Sequence, residues 1–108
     1  MKTIGRDELK QKIDAAEDFI LIDVLPPEQY RKFHLPGALN LPLEEGFEDE
    51  IQKIIPDKEQ MVVVYCANEQ CQASPTAAKM MEELGYSNVY DYEQGKQDWK
   101  DAGLPIEK

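Results

Sequence analysis

The sequence predicts an α/β domain with a mostly parallel sheet and helices on both faces. Three observations carry that prediction. The runs "FILIDV" (19–24) and "MVVVY" (61–65) are short, β-branched and apolar without alternation, the pattern of strands covered on both sides. Between and after them, apolar residues recur at helical spacing. The two kinds of segment alternate along the chain, which calls for parallel strands joined by right-handed helical crossovers.

The elements follow in order. "DELKQKIDAA" (7–16) sets Leu9, Ile13 and Ala16 on one helical face. "FILIDV" is the first buried strand, stopped by Pro26 and Pro27. "PEQYRKF" (27–33) fits a short helix with proline at its first position. "HLPGALNLP" (34–42) holds a turn at Pro36-Gly37 and then a brief strand. "GFEDEIQKII" (46–55) spaces Phe47, Ile51, Ile54 and Ile55 as a helix, and Pro56 ends it. "MVVVY" is the central strand. Ser74 is expected as the N-cap of the next helix, with Pro75 at its first position. Ala77, Met80, Met81 and Leu84 are its buried stripe, and Gly85 its left-handed terminator. "NVYDY" (88–92) is the last strand, and "GKQDWKDAG" (95–103) is a helix that buries Trp99.

Length and composition bound the function. With 108 residues, positions 1–108 are expected to form one domain that buries a core without staples. A net charge of −10 argues against nucleic acid and against anionic membranes as partners. It reads as a solubility device. No run approaches the roughly 20 apolar residues of a membrane span. "MKTIGRDEL" lacks the apolar stretch of a signal peptide, so the expected location is the cytoplasm. In that compartment a structural disulfide is disfavoured. Cys66 and Cys71 are not spaced as C-x-x-C. With His34 they are too few for a zinc site, so no metal is expected. His34 reads as a structural hydrogen-bonder, Met80 and Met81 as helix core, and "EEGFEDE" (44–50) as a solvated acidic helix start.

Cys66 is the candidate for chemistry. It ends the central strand, where ligands of open α/β sheets bind. The loop Ala67, Asn68, Glu69, Gln70, Cys71, Gln72, Ala73, Ser74 leads into a helix. Backbone N–H groups converging in such a loop form an anion cradle, and the helix N-terminus adds about half a positive charge. Both favour a thiolate and can lower a cysteine pKa by one to several units. Such a thiolate could attack a sulfane sulfur and hold it as a persulfide. The same position suits a buried, inert core thiol equally well. Cys71 reads as a loop spectator, with a resolving or sulfur-accepting role as the lesser reading.

Two stretches carry a resemblance. "LIDVLPPEQYRKFHLPGALNLP" resembles the Asp-Val-Arg … His-Ile-Pro-Gly-Ala motif of the rhodanese family, and "VVVYC" with "SPTAAKMMEELGYSNVYDYEQGKQDWKDAGLPIE" resembles its active-site strand, helix and closing segment. The resemblance implies a five-stranded parallel sheet. It implies a persulfide on Cys66, no organic cofactor and no metal. The implied partners are a sulfane-sulfur donor (thiosulfate, polysulfide or protein persulfide) and a thiol or cyanide acceptor. The chain departs from the family's Cys-x-x-Gly-x-Arg-Ser loop. Ser74 lies eight positions after Cys66, Ala73 stands where arginine is usual, and Leu25 replaces the arginine after Asp-Val. A guanidinium fork would hold a sulfonate or phosphate bidentately; here Glu69 adds repulsion instead. Weak use of thiosulfate is the expectation. Phosphatase chemistry on the same fold also needs a loop arginine and ranks low. A non-catalytic binding or regulatory module, and a Cys66/Cys71 redox switch, are the remaining alternatives.

Overall fold

A computed structural model describes residues 2–108. In chain order it contains β1 (Lys2–Thr3), α1 (Arg6–Asp14), β2 (Ile20–Asp23), α2 (Pro27–Lys32), β3 (Leu39–Asn40), α3 (Phe47–Ile54), β4 (Val62–Tyr65), α4 (Ala73–Glu83), β5 (Val89–Tyr92) and α5 (Gly95–Asp101). The strands form one five-stranded sheet in the order β1-β5-β4-β2-β3, with every strand pair parallel. β4, fully buried, lies at its centre, as its unbroken apolar run predicts. Among the described residues, no helix is long and apolar enough to cross a membrane.

Side-chain alternation along the strands divides the core into two layers. Ile22, Val62, Val64 and Val89 pack with Phe47 and Ile51 of α3 and with Ala77, Ala78 and Met81 of α4. Leu21, Val63, Tyr65 and Tyr92 pack with Leu9 of α1 and Trp99 of α5. Burial of Trp99 is complete, and its indole N–H donates to the Pro105 carbonyl at 2.7 Å. The order of hydrophobic residues therefore fixes which helix covers which face.

Three sequence expectations are corrected here. Ala16 does not join the buried stripe of α1. The helix ends at Asp14 and Ala16 is exposed at φ 51°, in the left-handed conformation that reverses the chain. Ile54 is 42% exposed, because the stripe of α3 runs Phe47–Ile51–Ile55 at i, i+4, i+8 and leaves Ile54 beyond its edge. β1 was not expected at all. Its two residues, Lys2 and Thr3, pair with Tyr90 and Asp91, and a strand so short carries no readable period. Gly85 does terminate α4, at φ 100°.

Candidate active site

Cys66 directly follows β4, at the carboxyl end of the sheet. Strand alternation turns its side chain to the face of Val62 and Val64, beneath α4. The residue is 1% exposed. Its backbone is gripped from the other side. The N–H of Lys96 donates to the Cys66 carbonyl at 2.9 Å and the N–H of Gln97 to the Ala67 carbonyl at 3.0 Å. Gly95 makes this approach possible: at φ 77°, a Cβ placed on it would lie 2.6 Å from both the Ala67 carbonyl carbon and the Asn68 nitrogen.

The loop amides are distributed unevenly. Asn68 Oδ1 accepts N–H bonds from Gln70 and Cys71, both at 3.1 Å. This is an Asx turn, the local geometry in which asparagine side chains excel. It directs two amides of the 67–74 loop at Asn68 rather than at a sulfur. The helix begins two residues earlier than expected, at Ala73, after Gln72, and no side chain caps it. Ser74 is therefore not an N-cap and Pro75 is the third helical residue, where its missing N–H costs no intrahelical bond. Ser74 is 1% exposed and its Oγ lies 3.4 Å from Cys66 Sγ. The hydroxyl that the sequence assigns to the backbone serves the sulfur instead.

Cys66 and Cys71 are joined as a disulfide, with Cα atoms 6.4 Å apart. This corrects the expectation that no disulfide forms. The compartment argument concerns redox poise, whereas the Asx turn sets geometry, folding Cys71 back over Cys66 within the range of disulfide-bonded Cα atoms. Cys71 is half-buried and lines a cavity of about 310 Å³ together with Glu69, Gln72, Pro75, Asp91 and Glu93. Cys66 does not line it.

The cavity is acidic and contains no cation. Arg6, on α1, donates from Nη1 to Asp98 Oδ1 at 3.0 Å, and Arg31 lies on exposed α2. Asp91, on β5, is fully buried and neither carboxyl oxygen has a hydrogen bond of ordinary geometry. Burial pushes its carboxyl above the usual 3.8; the nearby Ser74 hydroxyl pulls it back and the Glu93 charge raises it. A carboxyl raised in this way favours folding most at pH below its unfolded value, and that contribution is lost as pH climbs through the folded value. Asp91→Asn is accordingly expected to stabilise the protein at pH 7 by about 1–2 kcal/mol. Thermal melts should show the gain shrinking towards pH 3; equal melting points of the two proteins at pH 7 would contradict the assignment.

A second polar cluster, missed in the sequence, lies on the opposite face. Asp23 ends β2 fully buried, and its Oδ1 accepts the Leu25 N–H at 2.9 Å. Lys96, only 4% exposed, donates from Nζ to the carbonyls of Gln29 at 2.7 Å and Phe33 at 2.9 Å, and lies 4.4 Å from the Phe33 ring centroid. Burial raises the Asp23 carboxyl, opposed by the Leu25 amide and then by the Lys96 charge. Burial lowers the Lys96 ammonium, opposed by Asp23. Tyr65, beside Asp23 on the neighbouring strand, accepts the Leu35 N–H at 3.1 Å. His34 is a structural element: its ring stacks on Tyr30 at 3.8 Å, Nδ1 lies 2.9 Å from the Tyr30 carbonyl, and its backbone pairs with Glu107. The one legible signal for this cluster was an aspartate closing an otherwise apolar strand. Among the described residues, no group of His, Cys, Asp or Glu is arranged to hold a metal ion.

The family model described as "Rhodanese-like domain" matches residues 5–102. A thiosulfate sulfurtransferase of Escherichia coli strain K12 is 43% identical over 76 residues, spanning 69% of this chain and 67% of that protein. An HTH-type transcriptional regulator of Mycobacterium tuberculosis is 33% identical over 105 residues, 97% of this chain, which spans only 44% of the regulator. The crystal structure of a rhodanese-related protein from Thermoplasma volcanium superposes with a TM-score of 0.81 at 26% identity, covering 99% of this chain and 98% of that one.

Proposed function

The chain belongs to the rhodanese-like domain family, and on that premise we propose that it is a sulfurtransferase or persulfide carrier working through Cys66. The observation that carries this reading is Cys66 at the end of the central strand, with its sulfur 3.4 Å from Ser74 Oγ at the first turn of α4. In the dithiol form, the Cys66 thiolate attacks the sulfane sulfur of a donor. The donor's S–S bond breaks, its electron pair leaves with sulfite or a thiolate, and the outer sulfur stays on Cys66. An acceptor thiolate then takes that sulfur and returns Cys66 to the thiolate. The Ser74 hydroxyl donates to the sulfur anion, and the N-terminus of the eleven-residue α4 adds its dipole. The cytoplasmic setting we infer for the protein would supply thiols that keep the pair reduced.

Donor choice follows from charge. Glu69, Asp91 and Glu93 line the cavity beside the loop, and no guanidinium offsets them. A hydrogen bond to a charged group is worth about 1.5–3 kcal/mol, so its absence costs roughly tenfold or more in anion binding. Thiosulfate is therefore expected to load Cys66 at least about tenfold more slowly than a polysulfide or protein persulfide. Intact mass after incubation with each donor tests both statements. Measured on Cys71→Ser protein, a gain of one sulfur that disappears when Cys66→Ser is added is the expected result; no gain with any donor refutes the reading.

One observation favours a second reading, a non-catalytic regulatory module: Cys66 is 1% exposed. The pH dependence of Cys66 alkylation separates the two. A thiol titrating near the free value of about 8.5 and unreactive to sulfane sulfur would select the module.

A further inference from the structure

Resting on the persulfide reading above, we propose that Cys71 is a second catalytic residue, which resolves the Cys66 persulfide and releases its sulfur as hydrosulfide. Three observations lead there. The two sulfurs are within bonding reach, with Cα atoms 6.4 Å apart. The approach is built rather than incidental, because Asn68 Oδ1 holds the N–H groups of Gln70 and Cys71 at 3.1 Å and so folds the lengthened loop back on itself. Access is divided: Cys66 is buried at 1% exposure, whereas Cys71 lines the cavity.

The chemistry balances. The Cys71 thiolate attacks Cys66 Sγ, the inner sulfur of the persulfide. A Cys66–Cys71 bond forms, the bond from Cys66 Sγ to the outer sulfur breaks, and its electron pair leaves with that sulfur as hydrosulfide. The outer sulfur is reduced by two electrons and the two cysteines are oxidised to the disulfide. An external dithiol, or two equivalents of a monothiol, then regenerates the protein. Its thiolate attacks Cys71 Sγ, the sulfur facing the cavity, and expels the Cys66 thiolate; a second thiolate frees Cys71 and carries away the new disulfide. The buried sulfur thus takes its load and the accessible one receives the reductant. This division makes the protein a persulfide reductase that needs no bulky acceptor to reach Cys66.

The test uses reduced protein, freed of reductant under anaerobic conditions, and an alkanethiosulfonate as donor. That donor leaves as a sulfinate, so any hydrosulfide comes from the protein. Wild type is expected to release about one equivalent of hydrosulfide and to lose the mass of two hydrogens, holding little persulfide. Cys71→Ser is expected to keep the added sulfur on Cys66 and to release none until an external thiol is supplied. Stable persulfide in both proteins, with no hydrosulfide from wild type, would overturn the role of Cys71 while leaving the Cys66 reading intact. No sulfur gain in either protein would overturn the Cys66 reading, and the present inference with it.

Discussion

Gly95→Ala is expected to destabilise the protein by about 3 kcal/mol, the sum of a left-handed backbone and an overpacked contact. For a domain of this size, the melting point should fall by on the order of 10 °C or more. The argument rests on what the new Cβ meets. At Gly95 it would lie 2.6 Å from Ala67 and Asn68 backbone atoms, and neither can withdraw. Ala67 is held by Gln97 through its carbonyl, and Cys66 by Lys96. Relief would require lifting α5 from the loop, breaking the two bonds that orient Cys66. Gly103 supplies the control. Its φ is 76°, close to the 77° of Gly95, but a Cβ there meets nothing within 4 Å. Gly103→Ala should cost only the backbone strain, about 1–2 kcal/mol. Urea midpoints of the two variants separate strain from clash, and equal losses would show that the loop contact contributes nothing. Gly95→Ala should also slow sulfur loading of Cys66, whereas Gly103→Ala should not.

What sequence reasoning could and could not see follows the same division between local and distant physics. The central strand, α4 and its Gly85 stop were legible because each is announced by its own residues: a β-branched run, an apolar stripe, a glycine after it. Cys66 was legible as the residue leaving that strand. Ser74 was misread because its neighbours suggest a cap, while its actual contact is a sulfur on another element. The Asx turn at Asn68 had a local signal, an asparagine two positions before Gln70, but its consequence for Cys71 depended on where the loop starts and ends. Asp91 and Lys96 could not be placed, because nothing local reveals that a charged residue lies under a helix or against carbonyls remote in sequence. The altered loop was correctly seen to lack a cation, yet only the fold shows that the cavity beside it collects Asp91 and Glu93 from β5 and its following turn.

Lys96→Met is the second large effect, expected to cost about 3 kcal/mol at pH 7, since each buried carbonyl left without its donor costs about 1–3 kcal/mol. The methionine keeps much of the side-chain volume, so the loss is chiefly polar. It leaves the carbonyls of Gln29 and Phe33 without their shared donor and deprives Asp23 of the charge that partly offsets its burial. The pH dependence identifies the cause. Asp23 is already raised above 3.8 in the folded protein, so its contribution to stability is greatest below that value and is lost as pH rises through the folded value. Without Lys96 the folded value moves higher still, and the gap between variant and wild type should widen from pH 4 to pH 7. Orphaned carbonyls alone would leave that gap constant, since they do not titrate. Adding Asp23→Asn to Lys96→Met should recover part of the loss at pH 7 and little at pH 4. Because Lys96 also presents the amide that binds the Cys66 carbonyl, Lys96→Met is further expected to slow sulfur loading of Cys66; a variant that loses stability but loads sulfur at the wild-type rate would show that the two faces are not coupled.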